Sequence, residues 1–432
     1  MSQNTYVSVV LFVHDDIAQL EKCLCHLLDY TPAQAYELIL VENIPCRAVH
    51  EYIRQLPNIQ IVAYEESMTA GERWQRVAGM ATGEYIIFLR DYVMVAEGWL
   101  AQLKDIFVRF PEAAVVQPSA ENIDDACGKA MHIYLNCFMA DRQELIAIGG
   151  FDSGYCTERY CLNDLTVRIL RRKKQLFDLG VDWLPSCGES EPPVPKGPAL
   201  SEDEARYRQK HGFSWEYSTG RRDDMLQFAD YRQPGVRVME IGCACGATLL
   251  EIRNSNPVAD LYGLELNEAA AEVAANFAKV EAGNFEKMER PDFDASFDYI
   301  LMGDVLEHLF DTDMALQKVR SWLKPSGCLV LSVPNVSHLK VVVNILQGRW
   351  EYEDAGILDR THVRFFTIQS IQKCLEKNGF QVVQVGRKVF ELGNAWDEVR
   401  DELVQLKTLS VKKEDLETYQ IICVAEKRRV HE

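Results

Sequence analysis

Long apolar runs are missing from this 432-residue chain. No window approaches the ~18 apolar residues needed to cross a bilayer, so no transmembrane segment is expected. The opening Met-Ser-Gln-Asn-Thr is neither basic nor followed by an apolar stretch with a cleavage site, which points to a cytoplasmic location. Positive charge is scarce as well: 46 Lys and Arg stand against 65 Asp and Glu, a formal net charge of −19. Phosphate backbones are bound by clustered Lys and Arg, so a nucleic-acid partner is not expected. The one basic run, Arg171-Arg-Lys-Lys174, reads as the solvated end of a helix. Zinc-type spacing is absent from the 13 cysteines. The close pairs Cys23/Cys25 and Cys243/Cys245 are C-x-C and read as reduced thiols, so no metal site is expected. Proline is concentrated rather than abundant. Five of the 15 fall between Pro185 and Pro198, a stretch that excludes helix and central strand and reads as an extended tail or linker.

What is there is an alternation of β-branched and helical segments. Tyr6–Val13, Tyr36–Asn43, Ile59–Tyr64 and Tyr85–Leu89 read as buried strands. Between the first two, Ile17, Leu20, Leu24 and Leu27/Leu28 recur at helix spacing, and further helices are expected near 47–56 and 71–81. Strands alternating with helices imply a parallel α/β sheet. Ser201–His211 has helical character and opens with a capping box, Ser201 to Glu204, and the domain boundary is placed just after it. The length supports two cores: residues 1–213, including the proline-rich tail at 185–198, and residues 214–432.

The second half opens with Val236-Arg-Val-Met-Glu-Ile-Gly-Cys-Ala-Cys-Gly246, a buried strand that ends in an acid and a glycine-containing loop before a helix. Small residues let a ligand approach the loop backbone, and the N–H groups at the helix start beyond Ala247 face the same pocket. A dinucleotide fingerprint counted from Gly242 needs glycines where Ala244 and Ala247 stand, which disfavours NAD. Further elements follow in order: Leu261–Glu265, Ala282-Gly-Asn284, Phe297–Asp304 and Gly327–Asn335. The pattern E-x-G-C-x-x-G resembles motif I of the class I S-adenosylmethionine (SAM) dependent methyltransferases, and the later elements keep that family's order. The resemblance implies a Rossmann-like fold with SAM as cofactor. It places Glu240 near the methionine end, Gly242, Cys243 and Gly246 in the cradle, Glu265 on the ribose hydroxyls, Asn284 at the adenine edge and Asp304 on the pocket flank.

By the same resemblance Gly303–Leu309 lies where a strand-end loop meets the cofactor's methyl group. The enzyme's tasks there are alignment and removal of the acceptor's proton, which makes His308 the first general-base candidate and His362 the second. The segment Gly348–Thr367, dense in aromatic, Arg and His residues, resembles one found in methyltransferases that accompany glycan biosynthesis. Trp350 and Tyr352 would stack on a sugar ring, while Asp359, Arg360, His362 and Arg364 would hydrogen-bond hydroxyls or phosphate. A packed, salt-bridged loop is the other reading of this stretch. Gly379–Val385 and Tyr419–Glu426 look like closing strands, separated by an amphipathic helix carrying Trp396, Val399, Leu403 and Leu406, expected to pack on its own domain.

In the first half, Val7–Leu11, Leu38–Asn43, Ala81–Tyr92 and Ile148–Asp152 together resemble family 2 glycosyltransferases of the GT-A fold over residues 5–185. That family clamps a divalent cation and a sugar nucleotide with D-x-D, where this chain has Arg90-Asp91-Tyr92. Its E-D-x-D-L base segment aligns with Cys161-Leu-Asn-Asp164-Leu, so metal clamp and base are both expected to be lost. Glu42, Arg90 and Asp91 remain candidates for a sugar nucleotide, with Arg90 pairing the diphosphate in place of a cation; the competing reading is a binding or scaffolding module. The expected architecture is thus α/β with two domains, a GT-A-like nucleotide-diphospho-sugar transferase fold followed by a Rossmann-like class I methyltransferase fold. The expected function is SAM-dependent O-methylation of a sugar or glycan intermediate. Two alternatives stand beside it: a bifunctional glycosyltransferase and methyltransferase, and a non-catalytic SAM-binding assembly protein.

Overall fold

The computed structural model describes residues 6–57, 59–119, 127–181, 198–391, 393–406 and 410–428. The proline-rich tail therefore lies outside the described residues up to Pro198. The chain divides into two compact units, Met1–Tyr217 and Ser218–Glu432. Among the described residues no helix is long and apolar enough to cross a membrane.

The first unit is built on β1 (Val7–Val13), β2 (Tyr36–Glu42), β3 (Gln60–Val62), β4 (Tyr85–Arg90), β5 (Ala113–Ser119), β6 (Cys127–Ala130), β7 (Cys137–Asp141) and β8 (Gln175–Gly180). They form one sheet in the order β3-β2-β1-β4-β7-β5-β8-β6. Strands β1 to β4 run parallel, as the strand-helix alternation predicts, but β7 is antiparallel to β4 and β5, and β6 is antiparallel to β8. Strand β7 returns antiparallel to β5 with no helix between them among the described residues, whereas a parallel neighbour needs a crossover of a dozen residues or more. Strand β1 is buried at every position, which its Val-rich sequence anticipates. Helix Ile17–Tyr30 is capped by Asp16 and buries Leu20, Cys23, Leu24 and Leu27, whereas Leu28 falls off the apolar stripe and is exposed. Helix Pro198–His211 begins three residues before Ser201, so Ser201 is an interior residue and not the expected cap; proline at a helix start, with its φ already helical, extends the helix backwards.

The second unit comprises β9 (Arg237–Ile241), β10 (Asp260–Glu265), β11 (Lys279–Ala282), β12 (Phe297–Gly303), β13 (Leu323–Pro334), β14 (Phe380–Val389) and β15 (Thr418–Lys427), ordered β11-β10-β9-β12-β13-β15-β14. The first five of these neighbours are parallel, and β15 inserts antiparallel between β13 and β14. Helices cover the parallel strands, and an apolar cluster around Ile300, Met302, Trp322, Leu329 and Phe380 fills one face. Strand β9 pairs with β10 on one side and β12 on the other, so chain direction across the sheet reverses at β9. Ligands of open α/β sheets bind at the carboxyl ends of strands at such a switch point. Helix Asn394–Gln405 is tied to its own unit by Arg400, which donates to Glu417 at 2.9 Å.

Candidate active site

The loop after β9 makes two left-handed turns of backbone. Gly242 has φ +75 and Gly246 φ +82; a Cβ at Gly242 would lie 2.5 Å from Val305 Cγ2, and one at Gly246 would lie 2.9 Å from Ala274 Cβ. Glycine is required at both, for conformation and for space. Between them Ala244 adopts φ +46, a conformation that L-residues adopt with strain. The loop's own N–H groups are spent internally: Gly242 and Cys243 donate to Leu264 O, Cys245 to Ser218 O and Gly246 to Cys243 O. The Ala244 N–H is held by Glu265 Oε2 at 2.8 Å, and Asn267 N donates to the other oxygen of that carboxylate at 2.8 Å. Glu265 is therefore pre-set at the end of β10 and keeps further lone pairs for hydroxyl donors. The Cys243 thiol is buried in the core, which pushes its pKa well up, so only its backbone belongs to the loop.

Glu240, at the end of β9, is 6% exposed, and its Oε2 has no hydrogen-bond partner. Burial pushes its carboxyl up to about 8, with Thr248 and Arg222 pulling the other way. Asn284, just beyond the end of β11, caps a short turn by accepting from Glu286 N at 2.8 Å. Asp304 follows β12 with φ +54. Its carboxylate accepts from Arg222 Nη1 at 3.0 Å, from Ser332 Oγ at 3.1 Å and from Gln420 Nε2. That network anchors the flank of the crevice, and Arg222, Ser332 and Gln420 carry no motif by which the sequence marks them.

The loop beyond Asp304 brings a second cluster together. Val363 N and Arg364 N both donate to Glu307 O, at 2.9 and 3.0 Å, which lays the 357–364 segment across Glu307 and His308. The His308 and His362 rings then stand edge to face with centroids 4.8 Å apart. Burial and the neighbouring His362 both lower the His308 pKa, so its imidazole is neutral near neutral pH. The Glu307 carboxylate is 1% exposed with no partner on either oxygen, and burial followed by the Asp304 charge raises its pKa well above the usual range. Trp350 packs on Phe365 with centroids 5.4 Å apart, Tyr352 lies edge-on to Trp350, and both outer rings are substantially exposed.

Three of the expected acceptor ligands are otherwise engaged. Asp359 accepts from Thr361 N at 2.8 Å and Thr361 Oγ1 at 2.6 Å. Arg364 donates to Phe310 O at 2.7 Å, and Arg360 pairs with Asp354 at 2.8 Å on the surface. For Asp359 and Arg364 a packed, hydrogen-bonded loop describes the geometry better than open acceptor contacts.

Residues 215–385 match a family described as a methyltransferase domain. A ubiquinone biosynthesis O-methyltransferase of Nitrobacter winogradskyi is 28% identical over 169 residues, covering 38% of this chain and 63% of that protein. A probable S-adenosylmethionine-dependent methyltransferase of Mycolicibacterium smegmatis is 28% identical over 165 residues, covering 38% of this chain and 58% of that protein. The C-terminal unit is a class I SAM-dependent methyltransferase domain. A solved SAM-dependent methyltransferase from Archaeoglobus fulgidus is 18% identical with a TM-score of 0.37, covering 52% of this chain and 99% of that one. The chain spans less than two thirds of the length of these curated relatives.

SAM is the methyl donor of this domain class, and the methyltransferase domain's own residues suit it. An orphaned buried Glu240 oxygen, a loop with no room for a Cβ at Gly242 and a pre-set Glu265 carboxylate line the crevice ends of β9 and β10. In the first unit, the expected sugar-nucleotide residues also gather at strand ends. Glu42 accepts from Tyr64 N at 2.8 Å and pairs with His50 at 2.6 Å; Asp91 accepts from His14 N at 2.7 Å and pairs with its Nδ1 at 2.8 Å. Arg90 does not fit the expected role of diphosphate clamp. Its guanidinium is 1% exposed, lies over the Phe12 ring and pairs with Glu158 at 2.5 Å, because its side chain points to the buried side of β4. Asp164 is likewise enclosed, held by Arg168, Lys210 and His211.

Proposed function

We propose that the C-terminal unit transfers the methyl group of SAM to an acceptor oxygen presented beside Glu307, His308 and His362. Bound SAM supplies an electrophilic methyl group on a sulfonium, so the chain's own residues have to bind, align and manage a proton. Glu265 would take the ribose hydroxyls, Asn284 the adenine edge and Glu240 the cationic methionine end, while the Arg222–Asp304–Ser332–Gln420 network keeps the flank of the crevice rigid. The observation that carries the reading is the pairing of the His308 and His362 imidazoles across a loop that begins at the end of β12, next to the cradle. Those imidazoles handle the acceptor's proton. The exposed Trp350 and Tyr352 rings suit the apolar face of a sugar, which supports a sugar or glycan acceptor; the O-methyltransferase relative supports oxygen as the methylated atom. Replacing His308 by Ala is expected to leave SAM affinity intact while cutting turnover by ~10²-fold or more. Full activity of that variant on the identified acceptor would remove His308 from the mechanism.

For the first unit we infer a GT-A-like module that does not carry out metal-dependent sugar transfer. The support is the engagement of Asp91 with His14 and the burial of Arg90 and Asp164, which leaves no open acidic pair for a cation at these positions. Titration with a uridine sugar nucleotide, with and without Mn²⁺, tests it. Mn²⁺-dependent binding abolished by Asp91→Ala would favour the bifunctional reading instead.

A further inference from the structure

We propose that Glu307, His308 and His362 form a binding site for one divalent metal ion of borderline character, such as Zn²⁺, Mn²⁺ or Co²⁺, with coordination positions left open to the acceptor. One ligand atom from each residue lies within 4.8 Å of the others. An ion equidistant from three atoms all at that limit stands about 2.8 Å from each, roughly 0.6–0.8 Å beyond the ~2.0–2.2 Å of imidazole and carboxylate bonds to such metals. Small side-chain rotations close that gap. Two imidazoles and one carboxylate are a donor set suited to first-row divalent ions. The C-x-C spacings among the cysteines gave no reason to expect it, since none of its ligands is a cysteine.

Two further observations point to a ligand. The Glu307 carboxylate is 1% exposed with neither oxygen bonded, and protonating it would remove the charge while still leaving a buried donor and acceptor unmet. A cation meets both needs at once. The histidines are also oriented from behind. His362 Nδ1 lies 3.1 Å from Ile357 O, a carbonyl that can only accept, so Nδ1 carries the proton and Nε2 the lone pair. His308 Nδ1 lies 3.3 Å from Thr361 O and 3.2 Å from Thr361 Oγ1, whose own proton goes to Asp359 Oδ1 at 2.6 Å. Nδ1 of His308 is therefore a donor too. Metal-ligating histidines are held in this way, with the second ring nitrogen donating to a carbonyl or to a carboxylate-linked group. Asp359 thus acts as a positioning residue through Thr361. Asp304, the nearby acid, is not a ligand, because Arg222, Ser332 and Gln420 already occupy it.

Within the methyl-transfer reading, on which this role rests, an ion held by these residues would acidify a bound acceptor hydroxyl, so that His308 and His362 would promote loss of its proton to solvent through the ion and would not take it themselves. The resulting oxygen forms the O–CH₃ bond as the S–CH₃ bond breaks; the donor leaves as a neutral thioether and the ion keeps its charge. The site itself does not depend on that reading.

The full-length protein, stripped with a chelator, would be titrated with Co²⁺ alone and followed by visible absorption and calorimetry. One equivalent is expected to bind with the weak ligand-field bands of N/O coordination. His362→Gln and Glu307→Gln are expected to weaken it by at least ~10-fold, and Thr361→Val, which keeps all three ligands, by about tenfold. Thermal melts identify any variant that does not fold, and the part-exposed His362 carries the test if Glu307→Gln fails. Absent binding, intense thiolate charge-transfer absorption, or unchanged affinity in His362→Gln would each overturn the site. SAM titrations of the same samples separate the two ideas: SAM without cobalt removes the metal site and leaves methyl transfer standing, whereas cobalt without SAM does the reverse.

Discussion

Position 244 holds an alanine at φ +46, a left-handed conformation that favours glycine. Glycine there would relieve ~1–2 kcal/mol of left-handed strain and lose ~0.4–1 kcal/mol through greater unfolded-chain freedom. Ala244→Gly is accordingly expected to stabilise the methyltransferase domain by up to about 1.6 kcal/mol, read as a higher denaturation midpoint; a lower midpoint would contradict the strain argument. Glu265 sits on the next strand end and already accepts two backbone N–H groups. Glu265→Ala should weaken SAM binding by roughly ten- to a hundred-fold, from the charged hydrogen bonds lost. Unchanged affinity would take Glu265 out of the cofactor site. Glu240 makes a pH-dependent case. Its folded-state pKa of about 8 lies above its ordinary value, so its contribution to stability is complete below the ordinary carboxylate range and is lost as pH climbs through about 8. A cationic methionine end favours the ionised form, so SAM binding near pH 7 should release a proton, and affinity should rise with pH by at most about tenfold per unit until Glu240 is ionised. Calorimetry in buffers of different ionisation heat counts that proton. The Glu240→Gln variant should lose it, and a wild-type enthalpy indifferent to buffer would refute the linkage.

Among the elements, segment 348–367 decides the character of the site. It is stitched down by Val363 and Arg364 onto Glu307 O, by the bridge from Asn335 to Phe366, and by the capping box of Thr367 and Ser370 that starts helix Ile368–Lys377. Thr367→Ala should cost about 1 kcal/mol of stability in the methyltransferase domain, measured by denaturant unfolding. A change within a few tenths would mean that the cap is redundant. The sequence shows this stretch as chemically dense but not how it lies. Its aromatic and charged residues could equally face an acceptor or each other. The structure splits them, with Trp350 and Tyr352 outward and Asp359 and Arg364 turned to backbone and neighbouring side chains. The first unit shows a similar limit. Arg90 stands where a cation clamp is expected, yet strand alternation places it on the buried side against Phe12 and Glu158.

At the scale of the whole chain, two cores of similar size are expected to melt as two calorimetric transitions. SAM at a hundred times its Kd should raise the stability of only one of them, by about 2.7 kcal/mol. Both transitions rising together, or neither, would contradict the assignment of the cofactor to Ser218–Glu432. What the sequence by itself determined was local in origin: strand and helix periodicity, the small-residue loop with Gly242 and Gly246, and the acid at the end of each cofactor strand. Each of these depends on neighbours within a few residues, and periodicity and steric limits act at that range. Only the tertiary structure decided which distant side chains meet. His308 and His362 become neighbours because backbone N–H groups of one loop find a carbonyl of another. Arg222 and Gln420 reach Asp304 from elements about 80 and 116 residues away. The mixed direction of the first sheet belongs to the same class, since pairing between strands distant in sequence is settled by packing, which no single segment encodes.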